Sequence, residues 1–190
     1  DLLKERDNDV EVIERLEIVL SGLGDFRALL ELYRHKMGLI KEDSETVPLR
    51  IKIGELHEDK LGEPEEAQKV YIGVIRNYYE SELAQKLVDR LLGQENMQLA
   101  VADEIELKLT KDKNWEKLVL VHEIQLKHNK DKDAKQKLLS KLSAIYQEKL
   151  KDPVKAFEGF ARVFVEDPFN DGALFEIEKL ASELAYWKEL

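Results

Sequence analysis

Histidine is the residue type that could supply acid–base or metal chemistry in this chain, which holds four histidines and no cysteine. His122 and Glu123 begin like the zinc-binding helix of a metalloprotease, whose second histidine ligand lies one helical turn further on. Leu126 stands at that position, and Leu61 stands at the corresponding position after His57. Neither pair can complete a zinc site, so we expect no metal, no cofactor and no catalytic residue.

The positions of two histidines indicate packing instead. His57 and His122 fall at core-side positions of an internal repeat, where the other copy has Tyr146 and Tyr33. A buried polar ring usually makes a hydrogen bond, so we predict packed, hydrogen-bonded rings at both positions. Two further histidines are predicted to be solvated: His35 and His128.

Two other kinds of ligand motif are incomplete in this chain. Asp131 and Asp133 begin like a calcium loop, but Gln136 replaces its turn glycine and Leu142 its bidentate glutamate. Two glycine-rich sequences, GxxxxGK[ST] and GxGxxG, cradle phosphates in proteins, and the chain contains neither of them. The lack of cysteine excludes disulfides, thiolate nucleophiles and zinc–thiolate sites. The sequence therefore predicts a protein that is not an enzyme.

The formal net charge of −10 and the pI near 5.1 narrow the class of partner. Nucleic-acid binding depends on clustered Lys and Arg, whereas basic and acidic residues are interspersed here, as in Lys130–Asp133. A protein or peptide partner, basic in character, fits better than a nucleic acid. No apolar run approaches the roughly 20 residues of a membrane span, so we expect no membrane insertion. The sequence does not determine the cellular compartment, and of the compartments we favour the cytoplasm. We also predict that the chain is a fragment of a longer protein.

The most informative pattern is an internal repeat with a period of 89 residues. After this shift, Leu61, Pro64, Ala67, Val74, Ala84 and Leu91 fall on Leu150, Pro153, Ala156, Val163, Ala173 and Leu180. A fixed period predicts one helical unit that is used twice and stacked, as in a solenoid. We expect a single array over 1–190, with internal units at about 10–98 and 99–187.

Helical spacing of apolar residues extends along almost the whole chain, and no segment alternates as a strand would. Residues typical of helix ends separate these segments: Asp25 is a predicted N-cap, Pro48 falls in a first turn and Gly93 ends a helix. About ten helices and no sheet are expected, which is an all-α fold.

Two helix pairs, at about 46–79 and 135–168, carry a more specific pattern. The second pair is marked by Leu139, Leu142, Ser143, Tyr146, Ala156, Phe160, Val163 and Pro168. The first pair is marked by Ile53, Gly54, His57, Ala67, Tyr71 and Val74. With these residues the chain resembles tetratricopeptide repeat (TPR) proteins, although Leu139 stands where that family usually has Trp. The resemblance implies a right-handed α–α superhelix of antiparallel helices, in which the small residue Gly54 lets the second helix of its pair approach.

The resemblance also implies a binding face, because the first helix of each pair in such arrays lines a concave groove. The implied groove positions are Ile51, Glu55, Glu58, Asp59, Lys137, Ser140, Ala144, Gln147 and Glu148. Acidic side chains in the first copy favour a bound segment that carries Lys or Arg. We expect a non-enzymatic scaffold or adaptor that binds a protein or peptide there. Tyr78 and Tyr79, expected to be exposed at a helix end, are candidates for an interface.

Two other functions stay open from the sequence. One is a structural segment that stacks end to end, because the last helix has apolar residues where a solenoid needs a polar cap. These residues are Leu184, Tyr186, Trp187 and Leu190. The other is the accessory domain of an enzyme whose catalytic part lies elsewhere.

Overall fold

The computed structural model describes residues 10–185, which form ten α-helices and no strand. The first five helices are α1 (Val10–Leu23), α2 (Phe26–Leu39), α3 (Val47–Glu55), α4 (Pro64–Tyr78) and α5 (Glu82–Leu92). The other five are α6 (Gln98–Asp112), α7 (Trp115–His128), α8 (Lys132–Ala144), α9 (Pro153–Glu166) and α10 (Asp171–Leu184). The predicted all-α fold is confirmed. No helix in this part of the chain combines the length and the apolar character needed to cross a bilayer.

The chain divides into two compact units, Asp1–Met97 and Gln98–Leu190. In the first unit α1 packs on α2, α3 on α4 and α4 on α5. In the second unit α6 packs on α7, α7 on α8, α8 on α9 and α9 on α10. Because the connections are short, helices that follow one another and pack together run antiparallel. Each unit is thus an array of five helices.

The backbone turns repeat with the period of the sequence. Gly24 and Lys113, which are 89 residues apart, have left-handed φ angles of 72° and 58°. Gly62 and Lys151 form a second such pair, with φ angles of 65° and 55°. A left-handed residue turns the chain sharply at a helix end, and glycine adopts this conformation most readily. Both units therefore make the same two turns, with lysine in the second unit where the first has glycine.

The N-terminal cap of the second helix is also repeated. Asp25 caps α2 by accepting a hydrogen bond from the Ala28 N–H at 3.1 Å, as predicted. Asn114 caps α7 by accepting one from the Lys117 N–H at 3.2 Å. Such a cap satisfies a backbone donor that the first helical turn leaves unpaired. The two helices therefore begin at equivalent residues for the same reason.

Each of α3 and α8 continues into a π-helical turn, formed by Leu56–Lys60 and Ile145–Leu150. A π-helical turn is wider than an α-helical turn and changes the direction of its side chains relative to the preceding helix. In both units a proline, Pro64 or Pro153, then starts the next helix. Four predicted groove positions lie within these turns: Glu58, Asp59, Gln147 and Glu148.

Each unit has a hydrophobic core of its own. In the first unit a cluster joins α1, α2 and α3 through Ile13, Leu29, Leu30, Leu32, Tyr33, Leu49, Ile53 and Leu56. In the second unit one cluster contains Leu126, Leu139, Leu142, Val163 and Ala173, and another contains Ala156, Phe157, Ile177, Leu180 and Ala181. These apolar contacts pack together the helices on whose surfaces the candidate site lies.

The two histidines predicted to be packed and hydrogen-bonded are so. His57 is 5% exposed, and its Nδ1–H donates to Glu63 at 2.7 Å. His122 is 2% exposed, and its Nε2–H donates to Glu106 at 3.3 Å. The two histidines predicted to be solvated are instead half-buried: His35 and His128.

The predicted close approach of α4 to Gly54 is confirmed. A Cβ atom added to Gly54 would lie 2.2 Å from Cε1 of Tyr71, so the tyrosine ring packs directly on the glycine. In the second unit the glycine is on the other helix. A Cβ atom added to Gly159 of α9 would lie 2.4 Å from Oγ of Ser143 on α8. Both crossings therefore leave no room for a larger residue.

Two predictions about surface residues change with the structure. Tyr79 is 7% exposed, because the turn between α4 and α5 folds this residue inward, and Gln85 donates to its carbonyl at 2.7 Å. Tyr78 is half-buried, and its hydroxyl donates a hydrogen bond to Asp43. The expected pair of exposed tyrosines is therefore wrong. Three residues predicted for end-to-end stacking lie outside the described residues: Tyr186, Trp187 and Leu190.

Candidate functional site

Two of the predicted groove residues, Glu55 and Asp59, border a cleft of about 280 Å³ in the first unit. We call it the α2–α3 cleft. Its apolar floor contains Phe26, Leu29, Tyr33 and Leu56. Its charged rim consists of Lys52, Glu55, Asp59 and Lys60. The two other predicted groove residues of this unit, Ile51 and Glu58, do not line the cleft.

Asp59 differs from its neighbours on the rim because it is exposed and has no ion-pair partner among the described residues. The other three rim residues have partners: Glu55 lies 3.9 Å from Arg90, Lys52 lies 2.7 Å from Glu17, and Lys60 lies 5.9 Å from the centre of the Phe26 ring. The Asp59 carboxylate is therefore available to a cation from outside the unit.

Glu58 contacts the interior of the first unit. Its carboxylate accepts the Tyr71 hydroxyl at 2.9 Å and the side-chain amide of Gln94 at 3.2 Å, and Arg90 lies 3.9 Å away. The π-helical turn Leu56–Lys60 changes the direction of this side chain from the one that regular α-helical spacing predicts. This corrects the placement of Glu58 in the groove.

Replacing Glu58 with alanine is expected to destabilise the first unit by about 1 to 2 kcal/mol, because the Tyr71 hydroxyl loses its acceptor inside the protein. Asp59→Ala is the matched control, and it should change the free energy of unfolding by less than about 0.5 kcal/mol because that side chain is exposed. Urea unfolding of both variants measures the difference. Equal stabilities would show that Glu58 does not hold the unit together.

Only some of the predicted groove residues of the second unit border a cleft. Lys137 and Ser140 border an open cleft of about 520 Å³, which also contacts Asn170 at the start of α10. Three predicted positions do not border it: Ala144, Gln147 and Glu148. Gln147 donates instead to Glu176 of α10 at 2.8 Å, so it has an intramolecular role like that of Glu58.

A second pair of clefts lies at equivalent places in the two units and was not found from the sequence. One, of about 290 Å³, is lined by α2, α3 and α4; the other, of about 660 Å³, is lined by α7, α8 and α9. Equivalent lining residues are Arg34 and Glu123, Met37 and Leu126, Arg50 and Leu139, Lys69 and Glu158, Gly73 and Arg162, and Asn77 and Glu166. Two basic residues of the first cleft are glutamates in the second. The lining of the first cleft therefore has three Lys or Arg residues to one Glu, whereas the lining of the second has three of each.

A polar cluster joins three helices of the first unit around Glu17 of α1. Its carboxylate accepts the Tyr33 hydroxyl of α2 at 2.9 Å and the Lys52 ammonium of α3 at 2.7 Å. Lys36 of α2 lies 3.7 Å away. These contacts fix the relative positions of α1, α2 and α3 at one point.

The second unit repeats this cluster at every position. Glu106 of α6 accepts hydrogen bonds from His122 at 3.3 Å, from Gln125 at 3.1 Å and from Lys141 at 3.2 Å. Each of these four residues lies 89 positions after its counterpart in the first unit. Only two of the four residues are identical in the two units, and all four are polar, so the sequence pattern of apolar residues did not reveal the cluster. It could have been found by aligning the polar residues of the two copies.

The two central carboxylates are held in their charged form. Burial would raise the pKa of Glu17, but hydrogen bonds from Lys52 and Tyr33 outweigh it, and the pKa lies below its usual value. Burial would likewise raise the pKa of Glu106, and hydrogen bonds from Gln125 and Lys141 lower it on balance. A carboxylate that is charged at neutral pH and occupied by several donors connects helices; it is not poised to transfer a proton at that pH.

Within residues 10–185, no three His, Asp or Glu side chains are grouped so that they could hold a metal ion. In comparisons with known proteins, no family model matches the chain and no curated protein matches its sequence. Any function assigned to this chain therefore rests on the geometry of the two units and on the differences between them.

Proposed function

We propose that this chain is a non-enzymatic protein-interaction module, a TPR-like solenoid whose antiparallel helices form a right-handed superhelix and bind a protein segment in its groove. The observation that carries the proposal is the α2–α3 cleft, which combines an apolar floor with the unpaired Asp59 carboxylate on its rim. An apolar recess with a few charged groups at its edge suits one anchoring side chain and its charged neighbour.

The chemistry of the rim indicates the kind of segment that fits. A Lys or Arg side chain can pair with Asp59, with Glu55 close by on the same rim, while an adjacent apolar side chain enters the recess over Leu29 and Leu56. The net charge of −10 attracts such a basic segment as it approaches. The bound segment is therefore expected to have basic residues next to aliphatic or aromatic ones.

A display selection of random short peptides against the full chain tests this function. Enriched peptides are expected to carry Lys or Arg beside an apolar residue, and to bind the Glu55→Lys/Asp59→Lys variant at least about tenfold more weakly, because like charges repel. The control is Glu65→Lys/Glu80→Lys, which changes the net charge equally at exposed glutamates outside the cleft. Equal binding to both variants, or no enrichment at all, would refute this assignment.

A further inference from the structure

The repeated polar cluster differs between the units in one residue that titrates near neutral pH. In the first unit Tyr33 donates to Glu17, and burial followed by the bond to Glu17 raises the pKa of Tyr33, so it stays neutral in acid. In the second unit His122 takes the place of Tyr33 and donates to Glu106. Imidazole is the side chain that changes charge between about pH 5 and 8.

The hydrogen-bonding groups around His122 can satisfy the neutral ring but not the protonated one. Its Nε2–H has one acceptor, Glu106, while its Nδ1 is buried and has no hydrogen-bond partner among the described residues. A neutral ring can leave Nδ1 as an unused acceptor. A protonated ring must donate from both nitrogens, so the proton on Nδ1 would be enclosed without an acceptor, at the full cost of removing that donor from water.

The charged groups around the ring do not remove this cost. Glu106 of α6 attracts the imidazolium, and Lys141 of α8 repels it. Asp103 of α6 is bound to Gln125 at 3.0 Å. The turn Ile145–Leu150, which also packs against α7, carries three titratable side chains that make no hydrogen bond to the ring: Tyr146, Glu148 and Lys149.

We propose that His122 is a proton-sensitive contact that loosens the packing of α6, α7 and α8 when the pH falls from about 7 to about 5, while the first unit stays closed. The first unit also contains a core histidine, His57. Its Nδ1–H donates to Glu63 at 2.7 Å, and neither of its nitrogens is buried without a partner. The asymmetry between Tyr33 and His122 therefore makes acid sensitivity a property of one unit.

The direction of the effect follows from proton linkage. Burial lowers the pKa of His122 below its ordinary value of 6.5, although Glu106 opposes this. The unfolded or opened unit therefore binds the proton first, so stability is complete above about pH 6.5 and decreases as the pH falls below it. Glu106 contributes in a separate range, because its ordinary pKa is 4.5 and its pKa in the folded unit is lower still.

Hydrogen–deuterium exchange of the full chain, measured over α1–α3 and α6–α8 separately, tests the proposal. After correction for the intrinsic pH dependence of exchange, opening of α6–α8 should increase by up to about tenfold for each pH unit below 6.5, while opening of α1–α3 stays unchanged. His122→Tyr should abolish the increase, since Tyr33 shows that the cluster accepts tyrosine. Tyr33→His should add the same increase to α1–α3, while α6–α8 keep theirs.

An NMR titration of the wild-type histidines keeps the proposal testable if a variant fails to fold. A pKa for His122 below 6.5 supports it. A pKa at or above 6.5 would overturn it, since the ring would then have found a second acceptor, for example the unpaired Oε1 of Gln125. Equal acid sensitivity of the two units, or an unchanged response in His122→Tyr, would overturn it as well.

Discussion

Gly54→Ala is expected to destabilise the first unit by about 3 kcal/mol, because the added methyl group overlaps the ring of a fully buried tyrosine. The new Cβ would lie 2.2 Å from Cε1 of Tyr71 and 2.7 Å from two further ring atoms. The ring cannot move away easily, since its hydroxyl is bound to Glu58 at 2.9 Å and the Arg90 guanidinium lies 5.0 Å from its centre. The overlap must therefore be relieved by moving α3 away from α4.

Gly73→Ala is the matched control for this substitution. Gly73 lies in α4, and no atom comes within 4 Å of a Cβ added there, so alanine should stabilise the helix by about 0.5 to 1 kcal/mol. Urea unfolding, with hydrogen exchange over α1–α5 to locate the effect, measures both changes. A second substitution, Tyr71→Leu, should recover part of the loss in Gly54→Ala. If the two glycine variants proved equally stable, the close contact would not exist in solution.

Glu106→Ala is expected to destabilise the second unit by about 2 to 3 kcal/mol at neutral pH, because three donors on two helices lose their shared acceptor. Most of this cost comes from the buried Nε2–H of His122, which is left without an acceptor, whereas the Lys141 ammonium can form hydrogen bonds with water. Leu107→Ala is a suitable control on the same helix, since that leucine is 82% exposed and its loss should cost less than about 0.5 kcal/mol.

The pH dependence of Glu106→Ala follows from the lowered pKa of this carboxyl. Its ordinary value is 4.5, so the stabilisation is complete above that pH and disappears as the pH falls through the lower pKa of the folded unit. The stabilities of the wild type and of Glu106→Ala should therefore converge below about pH 4.5. Thermal unfolding across this range measures the convergence, and a constant difference down to pH 3 would contradict the role of the charged carboxylate.

Local features of the fold could be predicted because they depend on neighbouring residues. Asp25 was recognisable as a cap from its type and its place before an apolar helix, and the structure confirms its bond to the Ala28 N–H. Gly54 was recognisable as the small residue of a helix pair, and Tyr71 does pack on it. Burial of His57 and His122 followed from the period of the repeat.

Parts of the candidate site could not be predicted, because they depend on backbone geometry that regular spacing does not describe. A groove position for Glu58 assumed a regular α-helix, whereas a π-helical turn directs that side chain to Tyr71 and Gln94. Exposure of Tyr79 assumed that a helix end faces solvent, whereas the turn into α5 buries it.

The amino-acid sequence determined the all-α character, several helix ends and the 89-residue period, since these follow from apolar spacing, capping residues and turn residues that lie near one another in the chain. Only the tertiary structure decided which polar residues meet. Glu17 and Lys52, or Glu106 and Lys141, are 35 residues apart and come together because three helices cross. Contact between residues so far apart in the chain depends on both helix orientation and side-chain direction. The acid-sensitive His122 and the open rim at Asp59 could therefore be identified only from the tertiary structure.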